Sequence, residues 1–84
     1  MFEILTKENL CDTVVRIDVA APLIAAKVQP GQFVILRVTE DGERIPLTVA
    51  DSDSNAGSIT LIFQTVGATT LALSRKAVGE CLHH

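Results

Sequence analysis

Apolar residues in this chain of 84 residues recur at every second position, in short runs divided by turn residues. Val15, Ile17 and Val19 share one parity within Thr13–Val19. Ile59, Leu61 and Phe63 alternate with Thr60, Ile62 and Gln64 in the run from Ser58 to Val66. A period of two places successive side chains on opposite faces of an extended strand, one face for a core and one for solvent. Phe2–Leu10 alternates more loosely and pairs with Thr13–Val19 as a hairpin turned by Asn9–Asp12. Phe33–Val38 is apolar on both parities and is expected at the centre of the sheet.

Arg44–Ala50 reads as the fourth strand and Ser58–Val66 as the fifth, with the polar stretch Asp51–Gly57 looping between them. Pro46 removes a ladder donor, so its strand must lie at an edge, begin a pairing or face a ligand there. Gln29-Pro30-Gly31-Gln32 is a turn, since proline presets φ and glycine accepts positive φ. Asp41-Gly42 is a hairpin signal. Ala20–Val28, with Pro22 and several alanines, suits one helical turn or a loop lying on the surface of the fold. Gly67 ends the fifth strand, and Thr69–Lys76 reads as a short helix capped by Thr69 or Ala68, with Lys76 in its last turn before Gly79. Five strands at short spacing with tight turns and one late helix give an all-β fold, a small antiparallel β-barrel.

Length and composition bound what such a barrel can do. One domain, 1–84, is near the small end of what folds alone, and an apolar content of 48% suits a real core. Three Phe, no Trp, no Tyr and a net charge of −3 argue against a nucleic-acid partner, an oligonucleotide-binding barrel included. No apolar run approaches the roughly 20 residues of a membrane span. Met1-Phe2-Glu3-Ile4 lacks the basic and apolar regions of a signal peptide, so a cytoplasmic location is expected. Cys11 and Cys81 stand near opposite ends with no metal-binding spacing and read as free thiols. No metal site and no catalytic residue is legible: Asp51 and Asp53 flank a serine-rich loop as solvated charges, and no Ser has a neighbouring His. Gly79–His84 reads as a turn entering a further strand.

Two segments carry chemistry. Arg44-Ile45-Pro46-Leu47-Thr48-Val49-Ala50-Asp51 puts one guanidinium, one proline and one hydroxyl on one strand. Gln64-Thr65-Val66-Gly67-Ala68-Thr69-Thr70 puts a glycine and two hydroxyls at a strand-to-helix turn. Arg44 taken alone is a strand-end charge paired with Glu43 or Glu40; taken functionally it is a fork of donors for a phosphate. Gly67-Ala68-Thr69-Thr70 is either an ordinary capping turn or an anion seat of free N–H groups. Jointly the two segments suit a long, anionic cofactor with a flat ring system.

As a set, Pro30-Gly31-Gln32-Phe33-Val34, Arg44–Asp51 and Val66-Gly67-Ala68-Thr69-Thr70 resemble the FAD-binding barrel of the ferredoxin–NADP reductase superfamily. The branch is that of the dihydroorotate dehydrogenase electron-transfer subunit and the alpha subunit of NADH-dependent ferredoxin:NADP oxidoreductase (sulfide dehydrogenase). The resemblance implies a Greek-key barrel that binds FAD. Arg44 would hold the pyrophosphate. Pro46, Leu47 and Thr48 would line the isoalloxazine, with Ile62, Phe63 and Gln64 beside the ribityl and adenosine portion and Gly67, Thr69 and Thr70 at the phosphate-side turn. It further implies an oxidoreductase subunit that passes electrons between NAD(P)H, flavin and a [2Fe–2S] centre.

In that family a last strand, an NAD(P)-binding domain and a cysteine-ligated cluster segment follow the barrel, and a larger catalytic subunit is its partner. By that comparison the chain is expected to be one domain of a two-domain subunit, inactive alone, with its last strand missing and an open edge that favours homo-oligomers. A non-enzymatic β-barrel acting as an interaction or assembly module is the alternative, because barrels of this shape host many functions.

Overall fold

A computed structural model describes residues 1–84. The two runs of clearest alternation form the middle of its sheet. Strands β2 (Val14–Ala20) and β5 (Ser58–Gln64) pair antiparallel along their whole length, from Val14↔Gln64 to Ala20↔Ser58. Val15, Ile17 and Val19 from one strand and Ile59, Leu61 and Phe63 from the other point inward and are buried. Around them stand β1 (Phe2–Cys11), β3 (Phe33–Arg37), β4 (Arg44–Asp53) and β6 (Cys81–Leu82), in the order β3-β4-β5-β2-β1-β6. A further backbone bridge, Arg37↔His83, joins the two ends of that order into a barrel. Two short helices complete the chain, α1 (Pro22–Ala25) and α2 (Ala68–Ser74).

One apolar cluster fills the barrel. Ile4, Leu36, Leu47, Val49, Leu73 and Leu82 join the β2 and β5 residues there, so every strand contributes at least one side chain. Burying a large aliphatic side chain contributes about 1.5–3 kcal/mol against leaving it in water. For a chain this short, that shared core is the main source of stability.

Several local expectations are revised. Strand β3 is not central. It stands at one end of the order, and only alternate residues face the core: Leu36 is buried while Phe33 and Ile35 are 64% and 52% exposed. The final strand is present, though only two residues long. Phe2↔Leu82 and Glu3↔Cys81 pair it to β1, and Arg37 and His83 exchange N–H···O bonds of 2.7 and 2.9 Å. Strand β4 runs on to Asp53, so the expected loop shrinks to a turn that ends in Gly57. That glycine has φ +71°, and a Cβ there would lie 3.1 Å from the Pro22 ring. Its carbonyl accepts the Ala21 N–H at 2.8 Å, which fixes α1 against the β4–β5 hairpin.

Side chains seal what the short ladders leave open. Arg37 donates from Nη1 to the Glu40 carbonyl and from Nη2 to the His84 carbonyl, at 2.6 and 2.8 Å. Lys7 on β1 donates to the Ser74 carbonyl at 2.5 Å and to that of Lys76 at 2.9 Å. These are carbonyls the end of α2 leaves unpaired, and the ammonium also suits the negative end of the helix dipole. Cys11 and Cys81 are free thiols.

A polar row crosses the outside of the sheet where Thr6, Asp18 and Thr60 stand opposite one another on β1, β2 and β5. Both threonine hydroxyls donate to the Asp18 carboxylate, at 2.6 and 2.5 Å. Partial burial works to raise the Asp18 pKa, but these two bonds and the nearby Arg16 outweigh it and hold the group below the ordinary carboxylate range. A carboxyl depressed in the folded state adds stability above its unfolded pKa of about 3.9 and loses it as pH falls through the folded value. Urea melts between neutral pH and pH ~3 test this. The native chain should lose stability more steeply than Asp18→Asn at the acid end, and parallel curves would remove Asp18 from the account.

Candidate functional site

Strand β4 changes partners along its length. Residues Arg44–Thr48 pair with β3, from Arg37↔Arg44 to Phe33↔Thr48. Its register with β5 begins only at Val49↔Leu61, then shifts by one residue before Asp51↔Thr60. Pairing on the β3 side closes at Val49, whose N–H donates to the Gln32 carbonyl and whose carbonyl accepts the Gly31 N–H. Arg44–Thr48 therefore have a strand on one side and none on the other. Opposite them, Ile62–Gln64 of β5 are paired with β2 alone. Pro46 sits in the middle of this unzipped half, where its missing N–H disturbs no β5 ladder.

Alternation then selects which side chains meet the gap. Arg44, Pro46 and Thr48 are exposed on the outer face, as are Ile62 and Gln64 across the gap. Leu47 and Phe63 have the opposite parity and are each only 6% exposed, so they reach this face through backbone atoms while their side chains pack in the core. The expected strand residues thus separate into five that present side chains and two that support from beneath. The Thr48 hydroxyl and the Gln64 amide form no hydrogen bonds within the protein.

The expected pairing of Arg44 with Glu43 or Glu40 is absent. The chain has two salt bridges, Arg16–Asp18 and Lys76–Glu80, and the exposed Arg44 guanidinium has no partner. Beside it, Arg37 donates to the carbonyls of Glu40 and His84, and its buried Nε has no partner. Two guanidinium side chains directly opposite on neighbouring strands repel each other, and an anion placed between them would relieve that repulsion. Arg37 is a part of this face that sequence inspection misses, because only the β3–β4 register brings it beside Arg44.

The strand-to-helix turn lies at the same end of the barrel. Antiparallel β4 and β5 put the start of one beside the finish of the other, so Arg44 and the residues after Gln64 share that end. Gly67, rather than Thr69 or Ala68, is the residue before the first turn of α2. Its φ of −157° is ordinary extended backbone, and a Cβ built on it would meet no atom within 4 Å. Thr70 does the capping: its hydroxyl accepts the Val66 and Gly67 N–H groups at 3.0 and 3.1 Å and donates to the Gly67 carbonyl. Thr69 keeps a hydroxyl without a hydrogen bond, and the first N–H groups of α2 have no intrahelical acceptor.

Neither of the two hollows on the molecule coincides with this face. One of about 480 Å³ lies among Met1, Phe2, Ala21, Leu23, Ile24 and His84. The other, about 400 Å³, lies beside the β5–α2 turn among Asn9, Cys11, Asp12, Thr65, Leu71 and Ser74. Within it, the Thr13 backbone N–H and hydroxyl lower the Cys11 pKa. The face formed by Arg44, Pro46, Thr48, Ile62 and Gln64 is an open surface. No three His, Cys, Asp or Glu side chains stand close enough to hold a metal ion, and no helix is long and apolar enough to cross a membrane.

No protein-family model matches the chain. A Thermotoga maritima protein named as a homolog of the electron transfer subunit of dihydroorotate dehydrogenase B (NAD(+)) is 39% identical over 80 residues, covering 95% of this chain and 28% of that protein. The solved structure of an NADH-dependent reduced ferredoxin-NADP oxidoreductase, described for flavin-based electron bifurcation, matches with a TM-score of 0.93 at 38% identity over 98% of this chain. The chain belongs to this family of electron-transfer-subunit barrels. Another member of the set, an uncharacterized protein in the adh 3' region of Clostridium beijerinckii, is 45% identical over 95% of the chain. The chain spans less than a third of these family members, 27%, 28% and 30% of their lengths. The agreement of fold bears out the resemblance read from Arg44–Asp51 and Val66–Thr70, and with it the all-β barrel.

The capping geometry generates a test of what holds the turn. Thr70→Val keeps the shape of the side chain and removes the oxygen, so the start of α2 should fray at a cost of about 1 kcal/mol. Amide exchange at Val66 and Gly67 should quicken while exchange in β2 is unchanged. Unaltered exchange at those two amides would show that the hydroxyl is not the cap.

Proposed function

We propose that this barrel binds FAD as the flavin module of an electron-transfer oxidoreductase subunit. One observation carries the proposal: Arg44, unpartnered and exposed, stands at the end of a half-strand that has come away from its neighbour, in line with an outward Pro46 and Thr48. A cation followed along one strand by an apolar and a hydroxyl-bearing position suits a stretch of ligand that runs from a diphosphate to a flat ring system. The residues fit that group. The Arg44 fork suits phosphate oxygens in bidentate fashion, the Pro46 ring offers a flat apolar contact, and the free Thr48 hydroxyl serves a polar ring edge. Gly67 leaves open space before α2 for a close approach of phosphate, with the Thr69 hydroxyl beside it.

Bound FAD supplies the chemistry, accepting two electrons as hydride and releasing them one at a time. The chain's own work is to bind and orient. Leu47 and Phe63, locked in the core, hold β4 and β5 rigid beneath the ring, so their outward neighbours keep fixed positions. Ile62 and Gln64 bound the far side of the gap and limit sideways movement of the ligand. Charge neutralisation by Arg44 keeps the diphosphate end in place. The NAD(P)H donor, the [2Fe–2S] centre, the NAD(P)-binding domain and the larger catalytic subunit belong to the parent assembly in this proposal, consistent with the greater length of the relatives.

Purified chain mixed with FAD and desalted should retain flavin absorbance, and FAD should raise its melting temperature. Arg44→Ala should weaken FAD binding by about ten- to a hundredfold, the range for losing hydrogen bonds to a charged group. Loss of all flavin on desalting, with no thermal shift at saturating FAD, would refute the assignment. The same preparation should show no turnover of NAD(P)H with a dye acceptor, and robust turnover would refute the modular reading of the domain.

A further inference from the structure

Strand β3 leaves two large apolar side chains in water beside the site, and the register says what they adjoin. Phe33 stands directly opposite Thr48, and Ile35 directly opposite Pro46. All four belong to the outward parity, with Phe33 64% and Ile35 52% exposed. Directly opposed residues on paired strands have Cβ atoms about 4.5–5.5 Å apart, close enough for side chains to make one continuous surface. The next outward pair along the same two strands is Arg37 and Arg44. The β3–β4 hairpin thus carries a two-residue-wide stripe, apolar over its first two rows except for the Thr48 hydroxyl and cationic at its end. Phe33 is one of three aromatics in the chain, and the other two, Phe2 and Phe63, are partly or fully buried.

We propose that Phe33 and Ile35 are ring-binding residues: the flat ring of FAD lies across β3 as well as β4, on Phe33 and Ile35 together with Pro46 and Thr48. This rests on the FAD assignment above and extends it to a strand to which the sequence motifs assign no part of the ring site. Three features single out this occupant. The apolar rows adjoin, in register, the two β4 positions assigned to the ring. The stripe ends on two guanidinium groups, matching the flavin half of FAD, in which a planar ring system leads through the ribityl chain to the doubly charged diphosphate. A tricyclic ring is wider than one strand, and adjacent strands lie about 4.8 Å apart, so a ring seated on Pro46 and Thr48 overhangs a neighbour. On the β3 side that neighbour is paired and close, whereas on the β5 side the strands have parted. Phe33 and Ile35 act by contact with the ring face, and they leave the diphosphate untouched.

The test separates the two ends of the ligand. FAD and ADP, which shares the adenosine diphosphate end and lacks the ring, are titrated against native chain, Phe33→Ala, Phe33→Leu, Ile35→Thr and Arg44→Ala, with melting curves of each unliganded variant as the check on folding. Phe33 and Ile35 are mostly exposed, so the unliganded variants should melt as the native chain does. Phe33→Ala should raise the Kd for FAD by about five- to tenfold, Phe33→Leu by less, and ADP affinity should stay at the native value. Arg44→Ala should weaken both ligands. If Arg44→Ala loses FAD while Phe33→Ala and Ile35→Thr bind it as the native chain does, the β3 inference is overturned and the FAD assignment stands. If Phe33→Ala instead changes only the sedimentation coefficient, the stripe is a contact between copies of this chain and the inference is likewise overturned. A native chain that binds no FAD overturns both.

Discussion

The outer face of this barrel depends on strand β4 serving two neighbours in succession. Up to Val49 it is zipped to β3, and beyond the register shift it is zipped to β5. A strand shared in this way cannot be flat: the extra residue at Ala50 bends it and increases its local twist. Its first half then leans away from β5 and leaves a gap with backbone on both sides. Pro46 belongs in that half because a proline costs a sheet nothing where no ladder bond is made. Arg44, Pro46 and Thr48, turned outward by alternation, line the near side of that gap.

Closure of the ring holds that bend in place. Strand β6 contributes only two residues, so the seam between β1 and β3 relies on side chains for much of its strength. Arg37 spans it to the His84 carbonyl, and Lys7 ties the end of α2 to β1. These are charge-assisted bonds, stronger than the neutral backbone bonds they supplement. The two arginines of the β3–β4 hairpin therefore divide the labour. Arg37 is committed to the fold through both terminal nitrogens, its buried Nε left without a partner, while Arg44 remains free for a ligand.

Much of the barrel was legible in advance because a strict period of two has one physical meaning in a chain with a single core. Val15, Ile17, Val19, Ile59, Leu61 and Phe63 are buried as their parity demands. The reading of β3 failed for an instructive reason. Phe33-Val34-Ile35-Leu36 is apolar on both parities, which ordinarily signals burial on two sides, and here one of those sides faces outward beside the site. Gly79–His84 reads as a turn entering a strand, and that strand, expected to be missing, is present as Cys81–Leu82, too short for alternation to mark it. Within the candidate site, the residue types of Arg44, Pro46 and Thr48 were readable and their common outward face followed from alternation. The neighbours Phe33, Ile35 and Arg37 were not, because cross-strand register is a property of two segments at once.

By itself the order of amino acids determined which side chains can be buried, where the chain must turn and which few groups could meet an anion. Those are local properties, set by the parity of the pleat and by the conformational limits of proline and glycine. Tertiary structure alone decided that β4 parts from β5, that Thr70 spends its hydroxyl on a cap and that one arginine of two is left free. Each of those outcomes is a competition between distant partners for the same backbone or side-chain group, and no local sequence pattern records who wins it.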